Sequence, residues 1–297
     1  MHIYLRMFLL KWLSYLPFRL LYLISDILYV MIYYIIRYRL DIIKKNLSIV
    51  FPELTEKERA KVIRGFYKNF SDIIVESIKA ISIKKEEFER RVTHTNLSVL
   101  EETKRKGQSV VVLATHQCNW EWMSLAAFVR FPYPCYGVYK PLQNKRTNDL
   151  MLKVRTRFGG TLVTPEKIIR VIASRRDEVK LIGLIADQRP FIGNPKIWTK
   201  MFGRDTAFHT GTEQVPKIAN SVVFVSRMIR QKRGYYDVEL IKIHEPPYPR
   251  DKGIISIIDK YSKQTEAIIR ERPSDWLWSH DRWKYSKDEE RPLFKRS

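Results

Sequence analysis

His116 and Glu121 stand five positions apart in the run Thr115-His116-Gln117-Cys118-Asn119-Trp120-Glu121-Trp122. The run follows an apolar stretch, residues 110–114, that reads as a buried strand. A strand that ends in a turn and delivers a histidine at its C-terminal tip is a common way for an α/β sheet to present a base. A glutamate in the first turn of the next segment can come back within reach of the imidazole. Such a pair activates a hydroxyl without a metal. The competing reading is that a lone histidine is more often a surface or satisfied core residue, and that this spacing recurs by chance. Trp120 and Trp122 serve equally well as core or membrane-interface aromatics.

The elements that position this run follow from periodicity. Leu40, Ile43, Leu47 and Val50 recur at helical spacing until Pro52 stops them. Thr55 with Glu58 three residues on forms a capping box, opening a helix whose stripe is Val62, Ile63, Phe66, Phe70, Ile73 and Ile74. The charged residues 84–91 read as a solvated helix face. Strands are expected at 110–114, 135–139, 180–186, 222–227 and 236–243. Helices are expected at 148–158, 166–174, 211–219 and 254–271. This alternation predicts an α/β fold with a central, mostly parallel sheet flanked by helices. The expected organisation is a membrane-associated helical segment over 1–40, an α/β domain over 41–285 and a polar tail over 286–297.

Residues 3–38 are dense in Leu, Ile, Tyr and Phe, but Arg6, Lys11, Arg19 and Asp26 interrupt them. The apolar zone is too long for a signal peptide. It is also too broken for a clean span, which needs roughly 20 predominantly apolar residues. Pro17 opens a second helix from Phe18. The region reads as helices embedded in or lying on a membrane, the alternative being a helical hairpin buried in the domain. Arg37, Arg39, Lys44 and Lys45 follow it, and cationic flanks mark the cytoplasmic side. Lys and Arg number 54 against 32 Asp and Glu, a net charge of +22, which predicts a polyanionic partner. The two cysteines, Cys118 and Cys135, have no zinc-ligand spacing and fit a reducing cytosol at least as well as a disulfide.

Other segments fall at expected element ends: Lys140-Pro141 after the second strand, Arg157-Phe158-Gly159-Gly160 ending a helix, Asp187-Gln188 after the apolar 181–186, and Trp276-Leu277-Trp278-Ser279-His280-Asp281-Arg282-Trp283-Lys284 near the C-terminus. Singly each is weak; Arg157 and Asp187 read as structural ion-pair members and the Trp cluster as core. In order, with Asn46-Leu47 and Phe51-Pro52-Glu53, they resemble the late acyltransferases of lipid A biosynthesis, a lauroyl/myristoyl transferase family within the lysophospholipid acyltransferase superfamily. Lys140 departs from the pattern, since the family commonly has Arg before that Pro, and a bidentate contact is lost with it.

The resemblance implies transfer of a fatty acyl chain from a thioester to a hydroxyl of a glycolipid. His116 would take the hydroxyl proton and Glu121 would hold the imidazole tautomer. Arg157 would face the oxyanion or a substrate phosphate. Asp187 and Gln188 would position the acceptor or support Arg157, and Asn119 and Lys140 complete the substrate-binding set. The resemblance implies an acyl carrier protein as donor, an anionic glycolipid acceptor, and work at the cytoplasmic face of the inner membrane with no metal or cofactor. Coenzyme A as donor stays open, as does another acceptor such as a lysophospholipid, aminolipid, pigment or phosphoinositide mannoside. A non-catalytic, membrane-tethered polyanion binder is the reading from another class. No nucleic-acid-binding signature supports a nucleic-acid partner.

Overall fold

A computed structural model describes residues 2–248 and 257–289. The chain opens with α1 (His2–Tyr15) and α2 (Phe18–Val30), which a π-helical turn (Met31–Ile35) extends; α3 (Leu40–Val50), α4 (Glu56–Lys79) and α5 (Lys85–Arg91) follow. Next come β1 (Val92–His94), α6 (Ser98–Arg105), β2 (Val110–Ala114), α7 (Trp120–Arg130), β3 (Cys135–Val138) and α8 (Lys145–Arg155). Then follow β4 (Thr161–Val163), α9 (Ile168–Ser174), β5 (Leu181–Ile185), β6 (Lys196–Met201), β7 (Arg204–His209), α10 (Gly211–Ile218), β8 (Val222–Lys232), β9 (Tyr235–His244) and α11 (Ile257–Glu271). The predicted helix 254–271 is described from Ile257 onward. Its first three residues lie outside the described part, as do residues 290–297 of the predicted tail.

One seven-stranded sheet runs β1-β9-β8-β2-β5-β3-β4, and β6 and β7 form a separate antiparallel pair. Within the sheet only β8 and β9 pair antiparallel, so the expected mostly parallel α/β architecture is present. All five residues of β2 are buried, which is why its sequence, Val-Val-Val-Leu-Ala, is continuously apolar. The pleat divides them: Val111 and Leu113 pack with Ile182, Val223, Val225 and the C-terminal tryptophans, whereas Val110 and Val112 pack with Leu181, Val222 and Phe224.

The capping box that starts α4 is present: Thr55 Oγ1 accepts from the Glu58 N–H and the Glu58 carboxylate accepts from the Thr55 N–H. The stretch 84–91 is less solvated than its charge predicts. Phe88 is buried between the Trp122 and Phe158 rings, and the Arg91 guanidinium stacks between Phe18 and Tyr235. An aliphatic stem and a planar cation can be buried against aromatic faces, which a count of charges does not register.

The N-terminal segment is neither a buried hairpin nor a helix surrounded by solvent. Phe18–Ile35 is long and apolar enough, by length and composition, to cross a membrane. Yet α2 rests against α4 along one side, burying Leu21 and Ser25, and Leu20, Leu23, Ile27 and Val30 face outward. On α1, Phe8, Leu9 and Trp12 are exposed as well.

Candidate active site

Ala114 and Ile185 are partners in the parallel ladder between β2 and β5, and the Ala186 N–H still donates to the Ala114 carbonyl at 3.1 Å. Carried two residues beyond these partners, the same register sets His116 beside Asp187 at the carboxyl ends of neighbouring strands, where α/β sheets place their ligands. His116 Nδ1 lies 2.6 Å from Asp187 Oδ1, and the His116 backbone N–H donates to Oδ2 at 2.9 Å. The Trp276 indole N–H donates to the same Oδ2 at 2.7 Å. Asp187 is fully buried. Burial alone would raise its pKa, but the His116 charge, the two His116 hydrogen bonds and the Trp276 indole outweigh it and hold the carboxyl below its ordinary value. A carboxylate on Nδ1 leaves the lone pair of the neutral imidazole on Nε2.

The segment 115–119 is fastened from several sides. The Leu277 N–H donates to the His116 carbonyl at 3.0 Å, and the Cys118 N–H donates to the Asp275 carbonyl at 2.9 Å. Cys118 adopts φ 48°, a left-handed conformation unusual for a residue with a Cβ. Its thiol donates to the Met228 carbonyl at 3.2 Å. Both cysteines are free and buried. The Trp120 ring meets the His116 ring edge-on at 5.3 Å.

Glu121 does not occupy the place expected of it. It sits in the first turn of α7, where Arg155 donates to it through Nε at 2.9 Å and Nη2 at 2.6 Å; the imidazole Nδ1 belongs to Asp187. Residues 115–119 are not helical and α7 begins only at Trp120, so Glu121 is carried on the helix to Arg155 while His116 stays at the strand tip. Arg157 is likewise elsewhere: Nη1 donates to the Ala80 carbonyl at the end of α4, and its guanidinium lies over Phe158. Asn119 is buried as the N-cap of α7, its Oδ1 accepting from the Trp122 N–H at 3.0 Å and its Nδ2 donating to Glu76 at 2.7 Å. Lys140 is exposed with Nζ 3.8 Å from the centre of the Phe191 ring, and Gln188 is half-buried next to Asp187. Of the predicted residues, then, His116 and Asp187 meet directly, Glu121 and Asn119 flank them on α7, and Arg157 and Lys140 engage other partners. Among the described residues no group of three or more His, Cys, Asp and Glu side chains could hold a metal ion.

A family model described as bacterial lipid A biosynthesis acyltransferase matches residues 1–285. The chain belongs to that family. It is 22% identical over 284 residues to a lipid A biosynthesis acyltransferase of Haemophilus influenzae, covering 93% of this chain and 85% of the relative. It is 22% identical over 291 residues to the lipid A biosynthesis lauroyltransferase of Escherichia coli, covering 92% of each. A second H. influenzae lipid A biosynthesis acyltransferase is 23% identical over 257 residues, 86% of this chain and 80% of the relative.

In this acyltransferase two neighbours of the candidate site were not singled out from sequence. Arg155 lies two positions before Arg157, in the last turn of α8, and nothing in the spacing distinguishes the two. Trp276 reads as core and is indeed buried, but its indole N–H marks it as part of the Asp187 environment. A tryptophan has one polar atom, and which buried acceptor it meets depends on a contact 89 residues away along the chain.

Proposed function

We propose that this acyltransferase moves a fatty acyl chain from a thioester to a hydroxyl of a lipid A precursor, with His116 as general base. The observation that carries this reading is the Asp187–His116 hydrogen bond at the mouth of β2 and β5. In the proposed step, His116 Nε2 takes the acceptor hydroxyl proton as that oxygen attacks the thioester carbonyl. Asp187 holds the Nδ1–H tautomer and stabilises the imidazolium, and the proton then passes to the leaving thiolate. Glu121 would serve through Arg155: the bidentate pair fixes the guanidinium against the first turn of α7, and in the proposed step its Nη1 would meet the oxyanion or a substrate phosphate.

The donor we propose is an acyl carrier protein, an acidic partner suited to a chain of net charge +22. Residues 1–40 would form the membrane-associated segment, with the outward side of α2 in the lipid–water interface at the cytoplasmic face, and 41–285 the catalytic domain. Incubating the purified full-length enzyme with acyl carrier thioester or acyl-coenzyme A and a panel of lipid acceptors, read by mass spectrometry, tests this. Acyl gain on a lipid A precursor that His116→Ala abolishes is the expected result. Acylation of another lipid in its place would reject the acceptor, and full activity of His116→Ala would reject the base.

A further inference from the structure

Below the proposed site lies a buried polar cluster to which the reaction assigns no part. Glu76, on α4, is fully buried, and its carboxylate receives three hydrogen bonds from three different elements. The Tyr22 hydroxyl of α2 donates to Oε1 at 2.9 Å, and the Tyr236 hydroxyl of β9 donates to Oε2 at 2.7 Å. Asn119 Nδ2 donates to the same Oε2 at 2.7 Å. The Glu76 carbonyl also accepts from the Trp122 indole at 2.9 Å. Asn119 and Trp122 bracket the start of α7, with His116 three residues before the first and Glu121 just ahead of the second. One turn earlier on α4, Asp72 accepts from Ser25 of α2 at 2.6 Å and is clasped by Arg230 and Arg233.

We infer that Glu76 is a positioning residue for the reaction: through Asn119 it sets where α7 begins, and so where His116 and Glu121 stand relative to each other. The inference rests on the proposed role of His116. Three elements distant in sequence converge on one carboxylate, while Asn119 divides its amide between two tasks. Its oxygen caps α7 and its nitrogen is anchored to Glu76. Without the anchor the cap is free to turn, and displacing a reacting group by about 1 Å costs on the order of 10²-fold in rate. Tyr22 makes the same carboxylate a fixed point for α2.

The chemistry of the two oxygens gives a conservative control. Glu76→Gln can keep a carbonyl toward Asn119 and Tyr236 and turn its amide toward Tyr22, whose hydroxyl then accepts. Glu76→Met keeps the volume and offers neither oxygen. Asn119→Ser retains an N-cap hydroxyl but does not reach Glu76. Each full-length variant is to be compared with wild type by circular dichroism and melting, by kcat and KM for acyl transfer, and by hydrogen exchange of peptides spanning 115–125.

The expected result is that Glu76→Met and Asn119→Ser lose kcat by about tenfold or more at little-changed KM, and exchange faster in 115–125. Glu76→Gln stays within about threefold of wild type in both. Normal kcat and normal exchange in a folded Glu76→Met would overturn the inference. Should that variant not fold, the same outcome in Asn119→Ser overturns it. A kcat loss that only follows the folded fraction, with exchange unchanged, overturns it equally. Absence of acyl transfer by the wild type would instead reject the proposed function, and the exchange measurement would still decide whether Glu76 holds the loop.

Discussion

Replacing Asp187 by Asn changes one atom and preserves the shape of the site, and the geometry dictates which way the new amide turns. Oδ2 accepts from two N–H groups, the His116 backbone at 2.9 Å and the Trp276 indole at 2.7 Å, whereas Oδ1 faces His116 Nδ1 alone at 2.6 Å. Turning the amide nitrogen toward the pair would oppose two buried donors with a third. Each unpaired buried donor costs about 1–3 kcal/mol, or roughly 2–6 kcal/mol for the two. Turning the oxygen toward them keeps both bonds and asks only that the imidazole change tautomer, so that Nδ1 accepts from the amide and Nε2 carries the proton. That orientation wins, and a protonated Nε2 is no base.

Asp187→Asn should therefore fold, with all three contacts kept in neutral form, and lose roughly 10²–10⁴-fold in kcat, the usual contribution of a positioned base. Asp187→Ala should lose comparable activity and more stability, because it strands the same donors. The assay is acyl transfer by mass spectrometry alongside thermal melting, with Glu121→Gln as the comparison. If Asp187→Asn kept kcat within about threefold of wild type while Glu121→Gln was inactive, Glu121 would be the partner of the imidazole and the reasoning would fail.

Three further outcomes are expected. Arg155→Lys retains the charge but not the two-point grip on Glu121, and should lower kcat by about tenfold in steady-state assays; Arg155→Met should also lower the melting temperature by leaving a half-buried carboxylate unpaired. Replacing Leu20, Leu23 and Ile27 together by Ser should leave the melting temperature unchanged, since all three are exposed on α2. The same triple variant should cut binding to anionic vesicles by more than about 10²-fold in a flotation assay, because burying each such side chain contributes roughly 1.5–3 kcal/mol. The Asp187 carboxyl has its folded pKa held below the ordinary 3.8, so its stabilisation is complete above that value and is lost as pH falls through the lowered folded value. The stability gap between wild type and Asp187→Asn, measured by denaturant titration, should narrow as pH falls through the lowered folded value and close in strong acid.

The fold class was legible because β2 and β5 are apolar runs at strand length and α8 and α9 fall near expected helices, whereas α7 and the strands β1, β4, β6 and β7 were not read from the sequence. The position of His116 at a strand tip followed from that. Its partner did not, because the order of strands in a sheet is a tertiary fact. Glu121 is near in sequence and Asp187 is 71 residues away, yet β2 and β5 are neighbours, and their register sets Asp187 beside His116. The same limit hid Arg155. The sequence offers Arg155 and Arg157 as equals, and only the docking of α8 against α7 sends one to Glu121 and the other to the Ala80 carbonyl.

Among the described residues α4 is the longest helix, and it links α2 to the loop that carries His116. At about 1.5 Å per residue the 24 residues of α4 span roughly 36 Å, enough to pass beneath both the outward-facing α2 and the proposed site. Along it, Asn69 donates to Asp275 at 2.6 Å, next to Trp276 and its bond to Asp187. Asp72 and Glu76 hold α2, Glu76 also holds the start of α7, and the carbonyl of Ala80 holds Arg157. A lipid acceptor anchored by its chains can approach the base only from the plane in which those chains lie. An enzyme serving it must therefore fix its base relative to that plane. One rigid helix that bonds both the apolar α2 and the loop carrying His116 would meet that requirement, and two of the buried carboxylates, Asp72 and Glu76, which are costly to desolvate, sit on α4 where several elements are held at once.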